Sequence, residues 1–141
     1  MLENNKITLH VMSYLANWVV IEHTVKDFVK LMGGCIECSE SVHTAVKEMF
    51  ENACHWAFTN VGEVEIVLEV DVMNDKLLHV SVADRGNGIQ YVAQAREPLF
   101  SSDPVHHSGM GFTIAETFMD SLEVTSDVGL GTLVQMTKEI Y

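Results

Sequence analysis

Two glycine pairs constrain this chain more than anything else in it: Asp84-Arg85-Gly86-Asn87-Gly88-Ile89, and Ser108-Gly109-Met110-Gly111-Phe112 some twenty residues later. Glycines two apart let backbone approach a ligand closely, and free N–H groups at a helix start favour phosphate. The second pair runs straight into an amphipathic segment, so those N–H groups fall at a helix start. Asp84, ahead of the first pair, supplies an acceptor for an amine such as that of adenine. Upstream, Glu48 and Asn52 stand four residues apart, on one side of a helix. Together these groups describe a nucleotide site whose chemistry is phosphoryl transfer or a nucleotide-controlled switch.

The hydrophobic pattern supplies the frame. Residues 6–11 alternate as a short first strand, and Leu15, Trp18, Val19, Val25, Phe28, Val29 and Met32 follow helical spacing up to a stop at Gly33-Gly34. Ser39 or Ser41 caps the next helix, with Val42, Ala45, Val46, Met49, Phe50, Ala53 and Ala57 as its inward stripe. Glu48 and Asn52 sit at the edge of that stripe. Val64, Ile66, Leu68 and Val70 form a half-buried strand, Asn74-Asp75 a turn, and Leu78, Val80 and Val82 the returning strand that ends at Asp84. Residues 90–96 suit a short helix and 97–107 a mobile loop. Gly109-Met110-Gly111 opens the last helix, with Ile114, Phe118 and Met119 inward, and 122–125 and 133–136 close the chain as a hairpin. The order β-α-α-β-β-loop-α-β-β predicts an α/β two-layer sandwich, with helices on one face of a mixed, mostly antiparallel sheet.

Length and charge bound the rest. At 141 residues the chain makes one domain, 1–141, large enough for its own core. The polar start Met1-Leu2-Glu3-Asn4-Asn5 lacks a signal peptide's apolar stretch, and no apolar run approaches the roughly 20 residues of a membrane span. A cytoplasmic protein is expected. A net charge of −12, from 20 acidic and 8 basic side chains, argues against direct binding of nucleic acid or anionic membrane and favours a partner with a basic face. Cys35, Cys38 and Cys54 make an odd number. Cys35 and Cys38, after Gly33-Gly34 and in an expected inter-helix loop, are read as reduced, incidental thiols. Zinc would need two more ligands, and a redox pair would follow a strand and open a helix.

Glu48-x3-Asn52, Asp84-x-Gly86-x-Gly88, Gly109-x-Gly111 and the later Gly131-Thr132 resemble the Bergerat (GHKL) ATP-binding fold of histidine kinases, Hsp90, gyrase B and MutL. The short length, without a histidine-bearing dimerisation region, resembles the anti-sigma factor serine kinases. Residues 95–100, 108–114 and 118–120 are most similar to the sporulation anti-sigma F factors. The resemblance implies a dimeric kinase that sequesters a sigma factor and uses Mg²⁺-ATP to phosphorylate a small anti-anti-sigma protein on serine. It further implies that Asn52 holds Mg²⁺, that Glu48 orients or deprotonates the substrate serine, and that Asp84, Gly86, Gly88, Ile89 and Thr132 surround adenine. His107, Ser108, Gly109, Met110 and Gly111 would then line the phosphates.

Several positions depart from that pattern. No lysine or arginine lies between Arg96 and Lys138; His107 stands where a basic residue is expected, and Asp103 where a lysine is familiar. Transfer would then be slow, or depend on protonation of His106 or His107 below about pH 6.5, or rely on Mg²⁺ and backbone amides alone. Glu22 replaces an expected arginine on the first helix, and Glu51 a small hydroxyl residue before Asn52. A nucleotide-binding anti-sigma module with little kinase activity, and a detached histidine-kinase-type catalytic domain, are the alternatives.

Overall fold

The computed structural model describes residues 3–57, 61–73, 76–89, 92–97 and 110–140. Strand β1 (Asn5–Met12) leads through a 3-10 turn (Leu15–Asn17) into helix α1 (Trp18–Leu31), followed by α2 (Ile36–Asn52), β2 (Glu63–Asp71) and β3 (Leu77–Asp84). A short α3 (Val92–Ala95), α4 (Gly111–Phe118), β4 (Ser121–Asp127) and β5 (Gly131–Glu139) complete the chain. The strands form one sheet in the order β1-β2-β3-β5-β4. Among the described residues all four ladders are antiparallel, so the described sheet is not mixed. Hairpins join β2 to β3 and β4 to β5, and β5 pairs directly with β3, so no parallel crossover arises. The expected Asn74-Asp75 turn and most of the 97–107 loop lie outside the described residues.

Alternation along the strands decides which face is covered. Val64, Ile66, Leu68 and Val70 of β2, Leu78, Val80 and Val82 of β3, and Val134 and Met136 of β5 are buried. Against them pack Ile21, Val25, Phe28 and Val29 of α1 and Val42, Ala45, Val46, Met49 and Phe50 of α2, in one continuous core. The inward stripe of α2 is as expected. On α1, Ile21 takes the place at its start that the spacing assigned to Val19, which is exposed. On α4, Phe112 and Ala115 are buried with Met119, whereas Phe118 is exposed and Ile114 half-buried. That helix begins at Gly111, and its eight residues make about two turns, too few for periodicity to choose a face.

The connection between α1 and α2 differs most from expectation. Gly33 adopts φ +84, and Gly33 and Gly34 donate to the carbonyls of Lys30 and Val29, closing α1 as the glycines predict. Cys35, not Ser39 or Ser41, caps α2: its backbone is extended and its Sγ accepts from the Cys38 N–H at 2.9 Å. The two serines therefore lie inside the helix, Ser39 buried. The cap also brings the Cα atoms of Cys35 and Cys38 to 5.0 Å, and the two are joined as a disulfide rather than left as separate thiols. Among the described residues no helix is long and apolar enough to cross a membrane.

Candidate functional site

Glu48 and Asn52 occupy the last turns of α2, half-buried beside Met49 and Ala53, which face the sheet. Burial pushes the Glu48 carboxyl above the usual glutamate range, and the nearby charge of Glu51 pushes it further, with Lys47 opposing. Glu51 is held 3.9 Å from Lys47. The Glu51 side chain thus tunes the neighbouring acid, a role that its identity alone does not reveal. After Asn52 the expected α-helical stripe gives way to a π-helical turn, Ala53–Ala57, a widening frequent at functional sites.

The start of α4 abuts this end of α2. Met110 caps α4, and the second residue of the Gly109-Gly111 pair is its first residue. A Cβ at Gly111 would stand 3.0 Å from Asn52 Oδ1 and 3.2 Å from Nδ2. A side chain there would press on the amide that the resemblance assigns to Mg²⁺.

Asp84 ends β3, and its Oδ1 accepts from the Gly86 N–H at 2.9 Å. Burial raises its pKa, and backbone hydrogen bonds from Gly86 and Thr132 pull the other way. A carboxylate offers about four acceptor positions, so these bonds leave room for an amine. Gly86 thus serves first as a donor to Asp84. Gly88 is required by conformation: φ is +75, and a Cβ would come within 2.2 Å of the Asp127 carbonyl oxygen.

The turn after β3 is clasped by the turn of the β4–β5 hairpin. Asn87 accepts from the Gly129 N–H at 2.8 Å. Ser126 is the hub: its Oγ accepts from the Ile89 N–H at 2.7 Å, donates to the Gly131 carbonyl at 3.0 Å, and lies 2.8 Å from Thr132 Oγ1. Nothing singled out Ser126 beforehand; its signal is a hydroxyl directly across the hairpin register from Thr132. Ser126→Ala is expected to cost about 1–3 kcal/mol, because a part-buried N–H and carbonyl lose their partner. Urea unfolding should show a lower midpoint with an unchanged slope.

The predicted residues thus fall into two clusters, Glu48, Asn52, Met110 and Gly111 at the α2–α4 junction, and Asp84, Gly86, Gly88, Ile89 and Thr132 around the end of β3. His107, Ser108 and Gly109 lie outside the described residues. Arg96 pairs with Glu116 on α4 and reaches the Leu122 carbonyl at 3.4 Å, so this guanidinium is engaged in holding α4 to the start of β4. Glu22, expected to present a reversed charge to a partner, is tied to Lys26 at 3.2 Å and to His43 at 3.2 Å. The Lys26 ammonium holds its carboxyl below the usual range. A shallow depression of about 450 Å³, lined in part by His79, Ser81, Glu123 and Gln135, opens among outward-facing strand residues, away from Glu48 and Asn52.

Residues 12–138 match the model of the histidine kinase-like ATPase domain. The chain is 34% identical to the anti-sigma F factor of Clostridium beijerinckii, over 98% of its own length and 96% of the relative's. It is 38% identical to that of Geobacillus thermodenitrificans, over 83% and 80%. Among solved structures, the RsbU and RsbW domains of Rv1364c from Mycobacterium tuberculosis superpose with a TM-score of 0.68 at 15% identity, covering 95% of this chain and 32% of that one. The histidine kinase domain from the Erythrobacter litoralis EL346 blue-light activated histidine kinase gives 0.56 at 21%, covering 89% and 60%. These two likenesses concern the fold.

Proposed function

The chain belongs to the histidine kinase-like ATPase domain family and groups within it with the anti-sigma F factors, and from that premise we propose that it sequesters a sporulation-type sigma factor and uses ATP to phosphorylate an anti-anti-sigma antagonist on serine. The coarser role is that of an anti-sigma factor on an ATP-binding domain. The observation that carries the kinase reading is the α2–α4 junction, where a half-buried acid of raised basicity stands one helical turn from an amide held against the first residue of α4.

In this reading Asp84 accepts the adenine amine while the Ser126 clasp holds the turn that carries it. The N–H groups at the start of α4 meet the phosphates. Among the described residues no group of three His, Cys, Asp or Glu forms a metal cage, and Mg²⁺ in nucleotide sites commonly takes one or two protein ligands besides phosphate and water. Asn52 fits that part, its amide oxygen lying where only a glycine at 111 leaves space. When bound, Mg²⁺ would neutralise phosphate charge. Glu48 positions the serine hydroxyl and takes its proton; its raised pKa makes it a better acceptor while it remains ionised.

The acidic limb of the transfer rate is expected above glutamate's ordinary 4.5. Glu51→Gln removes the like charge that helps raise it, so the limb should move to lower pH in that variant. Rate profiles between about pH 4 and 8 check this, and identical limbs would exclude Glu51 as the tuning charge.

The edge position of β1, and the exposure of Met12, Tyr14, Leu15, Val19 and Val20 beside it, support self-association as a pair. Sedimentation at micromolar concentration reads the mass. The absence of lysine and arginine from 97–137, with Arg96 engaged by Glu116, favours the second reading, a nucleotide-binding module with little kinase activity.

Affinity capture from the source lysate with Mg·ATP, followed by phosphopeptide mass spectrometry, separates the two. A sigma factor recovered with a serine-phosphorylated antagonist supports the kinase. The same partners without phosphate support the module, and acid-labile phosphate on an acceptor would point to histidine-kinase-type chemistry.

A further inference from the structure

Cys35 and Cys38 open α2 rather than lying in a loop before it. Cys35 is the cap, half-buried, while Cys38 is buried at 6% exposure one turn into a 17-residue helix. Ile36 and Glu37 between them are exposed, and Cys35 is the more accessible of the two cysteines. The Cys38 N–H points at Cys35 Sγ, a bond that serves a disulfide sulfur and serves a thiolate better. The positive end of a helix also favours a thiolate, although Glu37 in the first turn opposes it.

The surrounding backbone is anchored independently of the sulfurs. The Cys35 N–H donates to the Ile140 carbonyl at 2.9 Å. A Cβ at Gly34 would come within 2.5 Å of a Val29 methyl and 3.2 Å of the same Ile140 oxygen, so the turn is tightly seated. Opening the disulfide therefore leaves the cap and the turn in place, and the pair can cycle without unfolding the helix.

We propose that Cys35–Cys38 is a redox-active site that accepts two electrons from a dithiol by thiol–disulfide exchange, with Cys35 as the sulfur attacked and Cys38 as the leaving sulfur. A thiolate of the dithiol bonds to Cys35 Sγ; the Cys35–Cys38 bond breaks, and Cys38 leaves as a thiolate that takes up a proton. The second thiol of the reductant, after losing its proton, attacks its own sulfur in the mixed disulfide. Cys35 is released as a thiolate beneath the Cys38 N–H, the dithiol is oxidised to a cyclic disulfide and the protein pair is reduced.

The test equilibrates the full chain in mixtures of reduced and oxidised dithiothreitol, quenches with acid and maps thiols by alkylation and mass spectrometry. Cys35 and Cys38 are expected to convert together, as a two-electron couple. In the reduced protein at pH 7, iodoacetamide should label Cys35 more than about tenfold faster than the buried Cys38. Cys38→Ala, lacking the second sulfur, should retain a mixed disulfide with glutathione at Cys35. A pair that stays closed in excess reduced dithiothreitol, a Cys35 that labels no faster than Cys38, or a Cys38→Ala chain that forms no mixed disulfide would each overturn the proposal.

Discussion

Glu48→Gln is expected to lower phosphate transfer to the antagonist's serine by roughly 10²–10⁴-fold while ATP affinity changes by less than about threefold. Glutamine keeps the length and hydrogen-bonding reach of the side chain and removes only the proton acceptor. Folding should be unharmed. The Glu48 carboxyl is pushed upward by burial and by Glu51, so the folded state disfavours its ionised form. A carboxyl raised in this way contributes stability when protonated, and that contribution fades as pH rises through the folded-state value. At neutral pH the neutral glutamine therefore melts at or above the wild-type temperature. Lost transfer in a chain that still binds nucleotide and melts normally isolates the base. Transfer within about threefold of wild type would remove Glu48 from the chemistry.

Gly131→Ala should have the larger structural effect. The φ of +115 is strained for any side chain, and a Cβ would lie 2.0 Å from the Asp84 carbonyl oxygen and 2.7 Å from Arg85 Cα. Both are main-chain atoms, so no rotamer change relieves the clash and the hairpin must move off the end of β3. The conformational strain costs about 1–3 kcal/mol, and displacing two paired strands brings the expected total to about 3 kcal/mol or more. For a domain of this size that is a fall of roughly 10 °C in Tm. Because Asp84 pairs with Thr132 next to this glycine, affinity for an ATP analogue should fall at least about tenfold. Gly129→Ala is the control: its φ is +82, yet among the described residues nothing lies within 4 Å of the added Cβ, so strain acts alone, at about 1 kcal/mol. Differential scanning fluorimetry on both variants decides the matter. A Gly131→Ala midpoint within about 2 °C of the Gly129→Ala midpoint would mean the clasp yields easily.

Much of the fold was legible because its signals are local. Alternation marked β2 and β3, the 3.6-residue stripe marked α2, and Gly33-Gly34 marked the end of α1. What failed had weak or non-local causes. Ser39 and Ser41 are better intrinsic caps than Cys35, but the tight seat of Gly34 against Val29 and Ile140 places the cap four residues before Ser39. Phe112 and Ala115, not Ile114 and Phe118, turn inward because α2 and β4 set the rotation of the short α4. Glu51 acts through space on Glu48, and Ser126 acts across a hairpin.

By itself the sequence determined the order of elements, the buried stripes of α2, β2 and β3 and the residue types of the candidate site, because periodicity and glycine spacing are properties of neighbouring positions. Only the tertiary structure decided that Gly111 must be bare to admit Asn52, that Gly131 must be bare to admit Asp84, and that Ser126 holds the turn between them. Those requirements are close contacts between segments tens of residues apart. Excluded volume acts between such segments only once folding has brought them together.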